Sequence, residues 1–458
     1  MATYVGVSVA DITPEKPVPL AGFAVRLVPW EKIRDPLSLQ AFAFGTPGVD
    51  GRVTCSAVLV CADLLWWGPD LVASLTQRIA ERYAIPPEAI VLHATHTHGA
   101  PQPGLTCSPL LGKGDPDYLD ALQATVVDAV GRAIDRMVPV RLSRGVGTCR
   151  IGVNRRRARP DGWVLAPNPG GPVDPEVHVL RLSRVTGEGA HAEEAGSTEP
   201  HGSAASLTAE SQGTMADETL AVLVHYTCHP TTSDAPQVSA DYPGAMRAAL
   251  RESLGEDVVI SFLQGCCGDI NPAVVRDGQF HRGGDAELAQ LGSALAASVR
   301  DVLSGPMTDL PDGEVRVQTR TVDLPLATPS RDQLLALRDD EGIWGDWARH
   351  LLADPARLVD HVPLRLTLLS LSPELALLGF DAEVTVAYGF EVKRRSGSRV
   401  LPLPYTNGMV GYVVTDEQLR QGGYEPNESY PYIYRPGRWA LGVEERVTAA
   451  VDAVLADL

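Results

Sequence analysis

The sequence predicts an α/β protein: a mixed β-sheet core flanked by helices, in a single large domain spanning residues 1–458. Three observations point there. Short β-rich runs alternate with stretches of helical period along most of the chain. Several apolar runs end in polar, glycine-rich loops, as strands of open α/β sheets do. Composition supplies the core, since 44% apolar and 21% charged residues is ordinary globular usage.

Taken in order, Val53–Val60 reads as a strand and Pro69–Tyr83 as an amphipathic helix opened by proline in its first turn. Ile90–Ala94 reads as a buried strand. Tyr118–Ile134 sets Leu119, Leu122, Val126, Val127, Val130 and Ile134 on one helix face. Val177–Leu182, Leu220–Tyr226 and Val258–Leu263 read as strands, and Ala286–Leu303 and Val443–Leu455 as helices. Between two strands, Thr186–Glu218 is rich in Gly, Ala, Ser, Thr and Glu. It offers too little apolar surface to offset its ordering entropy, so a flexible insertion at about 186–218 is expected. No internal repeat is found.

A net charge of −18 disfavours a phosphate-backbone binder, so no nucleic-acid partner is expected. The longest apolar runs are strand-length, far short of a membrane span. The N-terminus (residues 1–8) has neither a basic nor an apolar signal region. A cytoplasmic protein without membrane insertion is expected, its oligomeric state open. Seven cysteines in such a chain suggest reduced thiols.

The densest polar feature is His93-Ala94-Thr95-His96-Thr97-His98-Gly99, at the end of an apolar strand. In extended geometry, residues i and i+2 face the same way, so His96 and His98 project together. Imidazoles so placed suit zinc or a similar divalent metal. The alternative is a solvent-exposed or hydrogen-bonded structural histidine loop. His229, in Cys228-His229-Pro230, ends a second apolar strand, and His225 reads as a core or supporting residue. A third strand runs into Gln264-Gly265-Cys266-Cys267-Gly268-Asp269-Ile270-Asn271-Pro272, whose glycines let the backbone approach a ligand. Gly268 and Asp269 are therefore candidate substrate contacts. So is Tyr424, in the Tyr-, Gly- and Pro-dense stretch Tyr405–Tyr434. Asp63 reads as an orienter of a ligand histidine or as a structural cap.

These residues resemble the N-terminal catalytic domain of the neutral, non-lysosomal ceramidases, a zinc amidase family. The matches are Asp11-Ile12-Thr13-Pro14, Asp35-Pro36-Leu37 after Gly22-Phe23-Ala24, Thr95-His96-Thr97-His98, His229-Pro230, and Gly268-Asp269-Ile270-Asn271-Pro272. The resemblance implies a Zn2+ ion held by His96, His229, Glu383 and Tyr412. Glu383 is followed six positions later by Gly389, and Tyr412 lies five positions after Asn407, as in the family. It also implies that His98 faces the substrate and that Arg155 lies near the scissile bond. Asn271 stands where ceramidases carry a catalytic serine; it donates a hydrogen bond but is no nucleophile. With Leu458 as the last residue, the C-terminal β-domain of secreted ceramidases is not expected.

The expectation is therefore a zinc-dependent hydrolase of an amide bond in a small soluble substrate, with metal-activated water as nucleophile and His98, Arg155 and Asn271 as catalytic groups. An ester, lactone or sugar derivative on the same site is the alternative substrate. Rival readings are a thiol hydrolase using Cys228, Cys266 or Cys267, and a non-catalytic small-molecule binder.

Overall fold

The structure, a computed structural model, describes residues 3–24, 26–48, 51–185, 218–456 and 458. Apart from Glu218, the insertion expected at 186–218 lies outside them. The backbone is a mixed α/β arrangement built around a nine-stranded sheet. Its strand order is Val259–Gln264, Thr219–Tyr226, Glu176–Arg184, Val138–Thr148, Thr3–Asp11, Ser38–Pro47, Val53–Ala62 and Ile90–Ala94, with Thr308–Asp309 also on Val138–Thr148. The outermost pair at each edge is parallel and the interior pairs are antiparallel. The helices Pro69–Tyr83, Ile90–Ala94 as a strand, and the helix Val443–Leu455 have the bounds read from sequence. The others differ by one or two residues at their ends: Val53–Val60 extends to Ala62, Val177–Leu182 to Glu176–Arg184, Leu220–Tyr226 back to Thr219, and Val258–Leu263 shifts to Val259–Gln264.

The sheet curls until its two edges meet. Gln264, ending one edge strand, donates its backbone N–H to Nε2 of His93 in the other at 2.9 Å. Ser261 likewise reaches Gln40 across the interior at 3.3 Å. Parallel edge strands closed in this way bring their C-terminal ends to one place.

A second sheet orders Val400–Leu403, Leu375–Phe380, His361–Ser372, Arg316–Ala327 and Arg438–Trp439. It has its own apolar core, in which Leu366, Leu378 and Phe380 meet Val443, Val447 and Val454 of the last long helix. The two cores are joined by a buried ion pair. Lys393, on the helix Val386–Ser396, donates to Asp174 at 2.6 Å and to Glu176 at 2.9 Å, beside the strand Glu176–Arg184 of the first sheet.

Candidate metal centre

The strand Ile90–Ala94 is followed by Thr95, whose N–H donates to Ala62, and then the chain turns. His96 has a left-handed backbone with φ 66°. Pleated alternation is therefore not what pairs His96 with His98; a turn is, and it sets their rings 5.0 Å apart. The His96 ring lies on Tyr405, centroids 3.8 Å apart and planes 13° apart, and its Nδ1–H donates to the Leu65 carbonyl at 2.7 Å. His229 follows the strand Thr219–Tyr226, and its Nδ1–H is shared by the carbonyls of Cys267 at 2.6 Å and Ile270 at 3.1 Å. A nitrogen that donates to a carbonyl fixes the tautomer and aims Nε2 the other way. Ring nitrogens of His96, His98 and His229 lie within 4.8 Å of one another.

The second core supplies the oxygens. A short parallel pairing of Glu383–Val384 with Tyr412–Val413 puts Glu383 directly beside Tyr412. Glu383 Oε1 then stands 2.7 Å from His229 Nε2 and 3.5 Å from His96 Nε2. These approaches lack hydrogen-bond geometry: Glu383 Oε1, His96 Nε2 and both His98 ring nitrogens are buried with no hydrogen-bond partner. With the Nδ1 protons committed to carbonyls, lone pairs of two imidazoles face a carboxylate oxygen. Such a cluster calls for positive charge at its centre. Burial and the Arg155 charge lower the His229 pKa to about 4, keeping it a neutral ligand-competent imidazole. This set of nitrogen and oxygen donors fits zinc.

Above the cluster is a chamber of about 50 Å³, whose lining includes Trp66, His98, Met409, Tyr412, Tyr424 and Ile433. Arg155 lies behind its Tyr412 and Tyr424 wall. Its Nε donates to Glu425 at 2.9 Å, one terminal nitrogen to the Asn271 carbonyl at 3.1 Å, and the other to the Tyr412 hydroxyl at 2.8 Å. The strand Ile270–Pro272 pairs with Gly152–Arg159, which is why Asn271 and Arg155 are neighbours. Glu425 also binds Arg156, so one buried carboxylate bridges two guanidiniums.

The structure thus sets His96, His98, Glu383, Tyr412 and Tyr424 in the chamber wall, with His229 against Glu383, and Arg155 against Tyr412 and Asn271, just behind it. Gly268 and Asp269 lie behind it. Gly268 donates to Val384 at 2.9 Å, and Asp269 accepts from Val386 N–H, Asn154 and Gln418. They hold the Glu383 strand rather than line the chamber. Asp63 reaches no histidine; it accepts from Ser38, Thr95 and Arg247 and so anchors the turn before His96. His225 donates to the Pro402 carbonyl at 2.9 Å in the core. Cys228, Cys266 and Cys267 are buried free thiols whose pKa values burial pushes up, the opposite of nucleophile activation. Sequence reasoning missed Glu425 and Tyr405. Glu425 was one acid among several in the tyrosine-dense stretch, with Asp416, Glu417 and Glu428, and nothing in the sequence marked Tyr405 as the floor under His96.

No family model and no curated protein matches the sequence. Solved structures do match. The chain superposes on neutral ceramidase from Pseudomonas aeruginosa with a TM-score of 0.69 at 18% identity, covering 100% of this chain and 75% of that one. The chain has the neutral-ceramidase fold. A ceramidase complexed with C2 superposes with a TM-score of 0.70, also at 18% identity, covering 100% of this chain and 76% of that one. Within this neutral-ceramidase-like fold, the chamber lies where the curled sheet meets the second core. Among the described residues, no helix is long and apolar enough to cross a membrane.

Proposed function

We propose that this protein is a zinc-dependent hydrolase of an amide bond in a small molecule. The observation that carries the reading is the convergence of unpartnered, buried His96 Nε2 and Glu383 Oε1 on His229 Nε2. The shared fold with ceramidases supports the choice of an amide. His96, His229 and Glu383 would hold the ion, with Tyr412 beside them. The chemistry such an ion supplies when bound is Lewis acidity toward carbonyl oxygen and water.

The remaining work falls to this chain's own groups. His98 is kept unprotonated by burial and by the neighbouring His96 and His229, so its one lone-pair ring nitrogen is open to take a proton and pass it to a leaving nitrogen. Arg155 stays charged despite burial because Tyr412 and Glu425 face it, and it lends that charge to an oxygen in the chamber. Asn271, its carbonyl held by Arg155, has an amide N–H2 left to donate. Leu65, Trp66 and Met409 exclude bulk water. The test is zinc content and turnover of a panel of amides before and after chelation. Activity lost with the metal and restored by zinc supports the reading; full turnover by metal-free protein overturns it.

A further inference from the structure

The chamber is too small for a whole substrate. Its volume of about 50 Å³ admits a reacting amide group and little more. The rest of the molecule must lie in a neighbouring space. Two segments that wall the chamber, through Leu111 on one and Tyr432 and Ile433 on the other, also wall a larger cavity of about 620 Å³ through Pro109, Gly112 and Tyr434.

The larger cavity has a distinct chemistry. Lys113, His350 and Arg357 line it, and no carboxylate does, in a chain of net charge −18. Lys113 is exposed and has no ion pair among the described residues. The acids nearby stand behind the wall: Asp70 accepts from Leu105 N–H, Asp346 accepts from Ser108 and from the wall residue Tyr434, and Asp115 caps a helix through Tyr118 N–H. Arg357 reaches Asp354 only at 3.9 Å, while one of its terminal nitrogens donates to the His350 carbonyl at 2.6 Å. The His350 ring lies flat on Tyr434, centroids 3.7 Å apart and planes 2° apart, forming a planar wall beside the two cations. By contrast, the cavity across Met409 is lined by both Arg365 and the acids Glu81 and Asp381, and shows no preference for either sign.

We infer that the Lys113–His350–Arg357 cavity receives the anionic end, a carboxylate or a phosphate, of the amide substrate. The inference rests on the hydrolase reading and narrows it to acidic amides. Lys and Arg together suit an oxyanion, Arg through its planar pair of donors and Lys as a point charge. A bound anion also meets the Asp354–Arg357 contact at its weakest, since that pair is long and solvent-exposed.

Two measurements on the zinc-loaded protein test it. Calorimetric titration with inorganic phosphate at low salt is expected to show saturable binding, weakened by at least about tenfold in Lys113→Ala/Arg357→Ala at unchanged zinc content. Lys113→Glu, which loses no contact, is expected to do the same. Hydrolysis of an N-acyl amino acid is expected to show KM raised by about tenfold in the double variant with kcat little changed, while the matching neutral primary amide is unaffected. A tighter effect on the carboxylate substrate than on phosphate names the carboxylate as the natural group, and the reverse names phosphate. Equal phosphate binding in all variants, or none in the parent protein, overturns the inference. If the parent hydrolyses no amide, the hydrolase reading fails, and the phosphate titration still judges the anion site by itself.

Discussion

The imidazole side of the candidate centre and its carboxylate–phenol side are built by different means. His96 and His229 leave strands of the nine-stranded sheet and are oriented by backbone carbonyls close to their own loops and the neighbouring strand end. Glu383 and Tyr412 sit on a two-residue parallel pairing, far apart in sequence and held in register by the second core. The first side is a property of sheet geometry; the second depends on how two cores dock. A ligand at the end of a long buried strand leaves a mark in the sequence, whereas one on a two-residue strand leaves almost none.

The strongest way to break this comparison is to delete a ligand from each side. His96→Ala and Glu383→Ala are each expected to weaken zinc binding by more than about a hundredfold, read as metal retained after dialysis. Retention by Glu383→Ala with loss in His96→Ala would confine the centre to the first sheet.

Next in size is the buried bridge under Arg155. Glu425→Gln leaves two buried guanidiniums with a neutral partner, and is expected to cost about 3–5 kcal/mol in urea unfolding. A loss below about 1 kcal/mol would show that Arg155 is not held as described.

The joint between the cores sharpens the comparison further. Lys393→Met is expected to cost about 2–3 kcal/mol, less than the bridge because its partner Glu176 is partly solvated. An unchanged denaturation midpoint would show that docking relies on apolar contact alone.

Of similar size, and confined to a pH window, is a pH dependence on the first side. Burial raises the Asp241 pKa to about 6, above the unfolded value near about 3.9. Between those values the folded state holds a proton that the unfolded chain has released. The group's contribution is therefore present below the window and lost as pH rises through it. Wild type is expected to lose stability relative to Asp241→Asn between about pH 4 and 6, with a constant difference above about pH 7. A difference that does not vary with pH would remove the titration.

Much of the first sheet was legible. Ile90–Ala94, Leu220–Tyr226 and Val258–Leu263 are apolar but for one buried polar residue each, His93, His225 and Ser261, because they are buried on both faces. The second sheet was not. Arg316–Ala327 mixes exposed arginines and threonines with few buried residues, so no apolar run announces a strand. Gly268 and Asp269 show the limit at the site: glycine beside a carboxylate predicts close approach, and the approach is to Val384 and Val386, not to a ligand. Pleated spacing pointed to His96 and His98 together, but a left-handed turn at His96 is what joins them.

The sequence by itself determined that apolar strands end in histidine, because burial and residue type are local and periodic. Only the tertiary structure decided which oxygen meets those nitrogens, because Glu383 reaches His229 through the docking of two cores and the pairing of two short strands. No spacing along the chain encodes a contact whose energy comes from packing between distant segments.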